Sequence, residues 1–207
     1  MKVFNQIDDV QDCAGSVVTI GSFDGLHRGH QDIVKTLTTI AKAKSSKAAL
    51  ITFDPHPRHI LNKKNKISLL MSLDKKQTLL EELGVDVMLV IPFTEEFSRI
   101  TAETFMDDVI MKYFYPAEIV IGYDHHFGHK RQGTPKFLQN YAEKRGIKLD
   151  IINPVADDKV VLSSTHIRDL ISNGFVRRAS FELGWVYGFL AKVVHGSGRG
   201  KGLEFPT

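Results

Sequence analysis

Gly21-Ser22-Phe23-Asp24-Gly25-Leu26-His27-Arg28-Gly29-His30 lies between the apolar, β-branched run Val17-Val18-Thr19-Ile20 and an amphipathic stretch. The run reads as a buried strand and the decapeptide as its turn into a helix. Glycines let the backbone take tight or positive-φ conformations and pass close to a ligand. The first N–H groups of the following helix lack intrahelical acceptors and face that ligand, which makes the turn a phosphate seat. His27 and His30 are three residues apart, with only the side-chain-free Gly29 flanking the second, so both can lie at the helix's first turn and donate to phosphoryl oxygens. Donors fixed where charge builds up are how phosphoryl and nucleotidyl transfer is accelerated. Singly, each histidine reads as a solvent-facing N-terminal residue and the glycine spacing says little; the conjunction is what informs.

Outward from the turn, strands alternate with helices. Ile33, Val34, Leu37, Ile40 and Ala41 share one helical face, and that helix ends near 44–46. A strand over 48–53 is stopped by Asp54-Pro55-His56-Pro57, because each proline lacks a donor and fixes φ. Asp74 caps a helix carrying Leu79, Leu80 and Leu83, with Gly84 as its stop, before a strand over 87–91. Thr101 caps another, with Phe105, Val109, Ile110 and Tyr113 on one side, before a strand over 118–121. Thr134-Pro135 opens a helix to Arg145, stopped by Gly146, and a strand over 149–152 follows. Helices over about 163–173 and 176–183 come next, then a strand over 186–194. This pattern predicts an α/β fold with a doubly wound parallel sheet and right-handed crossovers. A composition shift places a domain boundary near Tyr187.

With 207 residues, 43% hydrophobic and 25% charged, the chain reads as one ordinary globular domain plus a tail. A single cysteine, Cys13, excludes an intrachain disulfide, and with no apolar leader at the N-terminus it points to the cytoplasm. No stretch is long enough to span a bilayer, so no membrane partner is expected. The formal charge of +3, from 27 basic and 24 acidic residues, gives no ground for a nucleic-acid surface. The runs at 63–66 and Arg177-Arg178 are short and lack interleaved aromatics.

Two further stretches bear on chemistry. Ser163-Ser164-Thr165 places hydroxyls and unpaired N–H groups at a helix start, with Arg168 one turn on, a second anion seat. In Gly122-Tyr123-Asp124-His125-His126-Phe127-Gly128-His129-Lys130-Arg131-Gln132-Gly133-Thr134 the clustered histidines invite a metal. Adjacent His125 and His126 do not readily serve one tetrahedral ion, so no metal site is assigned.

Gly-x-Phe-Asp-Gly-x-His-x-Gly-His resembles the signature of the HxGH nucleotidylyltransferases, and Phe-Asp-Gly narrows it towards the bacterial FAD synthetase family, the bifunctional riboflavin kinase/FMN adenylyltransferases. Ser-Ser-Thr-x-Ile-Arg at 163–168 is similar to that family's second nucleotide motif. The loop at 122–133 resembles its Gly-x-Asp-Phe-x-Phe-Gly-x-x-Arg-x-Gly segment, with His125 in place of the usual Phe. Thr52-Phe53-Asp54-Pro55-His56-Pro57 looks like a further family segment. The resemblance implies a Rossmann-like fold and adenylyl transfer from Mg-ATP to FMN, giving FAD and pyrophosphate. It implies that His27, His30 and Arg168 are catalytic. Gly21, Phe23, Asp24, Gly25, Gly29, Ser164 and Thr165 would hold ATP, and Asp54, His56, Pro57, Asp124, Phe127 and Arg131 would meet FMN. Mg2+ enters with ATP.

The tail from Gly188 resembles the opening of the family's β-barrel riboflavin kinase domain, with Glu204 where that pattern has glycine. The expected layout is therefore an adenylyltransferase domain at 1–187 and an incomplete kinase start at 188–207, without kinase activity and with 196–207 poorly ordered. Two other readings stay open: transfer to another phosphomonoester, and a fragment that binds flavin or nucleotide without turnover.

Overall fold

A computed structural model describes residues 1–62, 64, 67–157 and 160–195 of the chain. Strand β2 (Val17–Ile20) has all four residues buried and sits inside the sheet, because strands covered on both faces are apolar at every position. It pairs in parallel with β3 (Ala48–Asp54) on one side and β5 (Glu118–Gly122) on the other. Beyond β3 lie β4 (Val87–Pro92) and the edge strand β1 (Lys2–Phe4); beyond β5 lies β6 (Lys148–Ile152). The order β1-β4-β3-β2-β5-β6 is parallel throughout.

Alternation along each strand divides the core in two. Val17, Ala48, Leu50, Met88 and Val90 pack beneath α1 (Arg28–Ala43) and α3 (Leu73–Glu82). Val18, Ile20, Ala49, Ile51, Leu89 and Ile119 point the other way. They meet α4 (Ala102–Phe105), which continues through a π-helical stretch (Met106–Met111) into α5 (Lys112–Phe114), and α6 (Pro135–Arg145). Leu37 is fully buried on the α1 stripe, so Leu37→Ala removes about 2–5 kcal/mol of stability. A hairpin of β7 (Ala156–Asp157) and β8 (Val160–Val161) leads to α7 (Ser164–Ser172) and α8 (Val176–Leu183). Those two helices bury Ile167, Ala179 and Leu183 against Leu70. A short α2 (Pro57–Leu61) follows β3.

The chain leaves β2 for β3 and β4 on one side, then returns to β5 on the other. The carboxyl ends of β2 and β5 thus flank the point where strand order reverses, where open α/β sheets hold their ligands.

Two expectations need correction. The N-cap of α3 is Ser72, whose hydroxyl accepts from the Lys75 N–H at 3.2 Å, while Asp74 lies inside the first turn. Residues 186–194 form no strand: Val186, Phe189, Leu190 and Val193 are 82–96% exposed. Apolar alternation specifies a strand only where a neighbouring strand supplies the ladder, and none pairs with this run among the described residues. The Gly-Arg-rich part of the expected kinase start, 196–207, and the basic run at 63–66 apart from Lys64 lie outside the described residues.

Candidate active site

The turn after β2 carries positive φ at Phe23 (46°), Gly25 (79°) and Leu26 (37°). The left-handed region costs a non-glycine residue roughly 1–2 kcal/mol. Phe23 and Leu26 are 4% and 0% exposed, and burying such a side chain is worth about 1.5–3 kcal/mol, so burial outweighs the strain. Gly25 is different: a Cβ there would stand 2.6 Å from Leu70 Cδ1, so its role is to let the turn close on Leu70.

His27 is the N-cap of α1. Its Nδ1 accepts the His30 backbone N–H at 3.3 Å, which places the proton of the neutral ring on Nε2. The two imidazoles stack with centroids 3.7 Å apart and planes 16° from parallel, and the Phe23 ring meets His30 edge-on at 5.2 Å. Burial pushes His27 down to about 4 against the opposing charge of Glu182. Burial first, then His27 and Lys76, hold His30 well below the usual histidine range. Both rings are therefore neutral near pH 7, and each carries one N–H. His30 Nδ1 is buried and has no hydrogen-bond partner among the described residues.

Asp24 brings the second motif to the first. One carboxylate oxygen accepts the Leu70 N–H at 3.0 Å, and the other is paired with Arg168 Nη2. Arg168 Nε–H donates to the Ser68 carbonyl at 2.7 Å, and the Ser164 hydroxyl donates to the Asp24 carbonyl at 2.8 Å. These contacts tie the turn, the segment at 68–70 and the start of α7 into one unit, across 140 and more residues of chain.

A cavity of about 710 Å³ opens at the carboxyl ends of β2, β3 and β5. His27, His30, Ser164, Thr165 and Arg168 stand on its polar side, while Phe53, Phe93, Phe97, Ile100 and Phe105 give an apolar side. Gly21, Phe23, Asp24 and Gly29 also line it, as do His56, Pro57, Asp124, Phe127 and Arg131. Two candidates stand off: Gly25, as described, and Asp54, which borders a neighbouring recess of about 20 Å³ with Asp24, His56 and Lys76. His56 caps α2 through Nδ1, 3.1 Å from the Arg58 N–H. Burial, then Arg168 and Lys76, lowers it to about 4.

The loop after β5 is anchored from within. Phe127 bridges to Gly133 and packs on Phe105 at 5.5 Å and Phe137 at 6.1 Å, so its ring belongs as much to the core as to the cavity wall. Gly128, at φ 69°, would place a Cβ 2.6 Å from the Ala102 nitrogen. Arg131 is exposed at the mouth, beside Lys130, both at positive φ. His125 lies 5.4 Å from Phe127, is lowered to about 4 by burial and then His126, and keeps a buried Nε2 without a partner among the described residues. No group of three or more metal-ligating side chains occurs among the described residues.

Sequence reasoning missed Lys76 and Trp185. Lys76 is 7% exposed, and its ammonium donates to the Ser22 carbonyl at 2.7 Å and the Thr52 hydroxyl at 3.3 Å. Its signal was present: residue 76 shares the helical face of Leu79, Leu80 and Leu83, where a lysine is out of place. Trp185 Nε1–H donates to the Gly25 carbonyl at 3.0 Å.

Fold and site together define a doubly wound α/β protein whose switch-point crevice is walled by paired neutral imidazoles and a helix-borne arginine. A model of the FAD synthetase family matches residues 9–166, and the chain belongs to that family. Proteins named bifunctional riboflavin kinase/FMN adenylyltransferase resemble it. That of Listeria monocytogenes is 36% identical over 92% of this chain and 60% of its own length, and that of Bacillus subtilis is 34% identical over 94% and 61%. The chain thus spans about three fifths of these relatives. A Streptococcus pneumoniae crystal structure described as a macrolide-efflux protein superposes with a TM-score of 0.84 at 28% identity, over 99% of this chain and 66% of that one. No helix among the described residues is long and apolar enough to cross a membrane.

Proposed function

We propose that the chain is an FMN adenylyltransferase, joining the phosphate of FMN to the adenylyl group of Mg-ATP to give FAD and pyrophosphate. The observation that carries this reading is the division of one cavity into an imidazole and arginine side and an aromatic side, in a member of the FAD synthetase family. The polar side suits a triphosphate and the aromatic side a planar heterocycle.

An oxygen of the FMN phosphate attacks the α-phosphorus in line, and the bond from that phosphorus to the bridging oxygen of pyrophosphate breaks. The attacking oxygen is already ionised, so no base is required. His27 and His30 present N–H donors to the α-phosphoryl oxygens as charge gathers there. Arg168 uses Nε–H and one Nη2–H on Ser68 and Asp24, which holds the guanidinium still while the rest of its five-donor fork faces the leaving pyrophosphate. Ser164 and Thr165 sit at the start of α7, where hydroxyls and backbone N–H groups receive phosphate oxygens. Gly21, Phe23, Asp24 and Gly29 shape the ATP side, and His56, Pro57, Asp124, Phe127 and Arg131 the FMN side. Mg2+ belongs to the nucleotide substrate: such an ion keeps phosphate oxygens and water as ligands and does not need an all-protein cage. Residues 1–187 constitute the transferring module.

The test is to incubate the protein with Mg-ATP and, separately, FMN, nicotinamide mononucleotide or phosphopantetheine, and to identify products by mass. FAD with stoichiometric pyrophosphate is expected from FMN alone. Binding of ATP and FMN without pyrophosphate release would replace this reading with that of a non-catalytic binding module.

A further inference from the structure

Lys76 is a buried charge that the reaction above does not use. It comes from α3 and borders the small recess beside the cavity, and its ammonium reaches two segments that both line the site. The Ser22 carbonyl belongs to the turn carrying His27 and His30; the Thr52 hydroxyl belongs to β3, which runs on to His56 and Pro57. Thr52 also donates to the Ser22 carbonyl at 3.2 Å, closing a three-membered junction with both side chains buried. Directly after Ser22 comes Phe23, held at φ 46° with its ring edge against His30. Movement of the Ser22 carbonyl is therefore transmitted through Phe23 to the stacked imidazoles.

We infer that Lys76 is a positioning residue, whose ammonium locks the histidine-bearing turn to the end of β3 and so fixes His30 against the nucleotide's phosphates. This rests on the adenylyltransferase reading. The titratable groups that face Lys76 are the carboxylates of Asp24 in the turn and Asp54 at the end of β3, and the neutral imidazoles of His30 on α1 and His56 at the start of α2. Arg168 reaches the same cluster through Asp24. Burial lowers Lys76 to about 8, with Asp24 and Asp54 opposing. As pH rises through 8 the ammonium becomes an amine and its grip on the carbonyl weakens. Stability moves in the opposite direction. A lysine whose folded pKa is depressed binds fewer protons folded than unfolded between about 8 and 10.5, so its own contribution makes the fold more stable across that interval. Loss of activity without loss of stability above pH 8 is thus a signature that a merely structural lysine does not give.

The experiment uses the whole 207-residue chain, its Lys76→Arg and Lys76→Met variants, and pH 6.5 to 9.5. It measures kcat and KM for Mg-ATP at saturating FMN, Mg-ATP affinity by calorimetry, and thermal unfolding at each pH. Wild-type kcat is expected to fall about tenfold above pH 8 while Tm does not, the size of one charge-assisted hydrogen bond. Lys76→Arg, which cannot deprotonate, should lack that fall whatever its absolute rate. Lys76→Met should be about tenfold slower at pH 7, with no step near pH 8. If wild type and Lys76→Arg share one alkaline fall, or folded Lys76→Met keeps wild-type kcat, the inference is overturned. Should Lys76→Met fail to fold, the wild type and Lys76→Arg decide alone. Wild type that makes no FAD at any pH refutes the adenylyltransferase reading instead. The Lys76 inference is then judged on the Mg-ATP affinities: a step near pH 8 absent from Lys76→Arg supports it, and no step overturns it.

Discussion

The two ends of the sheet treat buried charge in opposite ways. At the amino end, the fully buried Glu118 of β5 is flanked by Lys148 at 2.7 Å and Lys44 at 3.1 Å. Burial opposes its ionisation, but the Lys148 hydrogen bond and the Lys44 ammonium prevail and hold it at about 2. At the carboxyl end, His27, His30, His56 and His125 are all pushed down by burial, and His30 Nδ1 and His125 Nε2 find no partner among the described residues. Glu118 is neutralised by two ammonium groups, whereas the two imidazole nitrogens belong to residues that line the cavity.

The contrast breaks most visibly at His30. His30→Ala should lower FAD formation by a factor of about 100–1,000, near 3–4 kcal/mol of transition-state stabilisation, with Tm little changed. Near-normal turnover by a folded variant would remove the basis for separating the two ends. Lys148→Met tests the other end. It should lower the denaturant midpoint of unfolding, because the buried Glu118 keeps only Lys44, while leaving kcat as it was. Asp24→Asn lies between them: it weakens the pairing of Arg168 with the turn, and KM for Mg-ATP should rise about tenfold with a small fall in Tm. His125→Phe, which restores the aromatic usual in the family, should shift FMN affinity by less than about 1 kcal/mol and leave ATP affinity untouched; a larger effect would give the imidazole nitrogen a bond to the acceptor.

Acid sharpens the same comparison, because the two ends titrate in different windows. His27 binds fewer protons folded than unfolded between about 4 and 6.5, so the stability it contributes is complete above 6.5 and is lost as pH falls towards 4. Glu118, depressed to about 2, contributes stability that is complete above its unfolded value of 4.5 and is lost as pH falls from there through 2. Chemical denaturation across pH 2–7 should therefore show the first loss reduced by His27→Asn, the other buried histidines keeping their share, and the second reduced by Glu118→Gln.

Most of the fold was legible because its signals are local. Strands β2 to β6 are short apolar runs punctuated by Gly, Pro and helix caps, and their alternation with helices fixes the parallel sheet. Strand β1 is three residues on an edge, too brief for any period. The run at 186–194 has the alternation of a strand and no ladder to join among the described residues, a condition outside its own sequence. In the site, His27 and His30 were readable from spacing, since an N-cap and the residue three on must meet. The pairing of Asp24 with Arg168 was not, because it depends on how α7 docks against residues 68–70. Lys76 was overlooked since a lone lysine on an apolar helix face passes for a snorkelling side chain until the carbonyl it meets is known.

Trp185 is the chain's sole tryptophan, and its indole N–H ends on the Gly25 carbonyl, inside the histidine turn. The molecule therefore carries an intrinsic fluorophore wired to the turn that lines its crevice. A nucleotide that disturbs that carbonyl alters the indole emission, and occupancy of the crevice can be followed by light without any label.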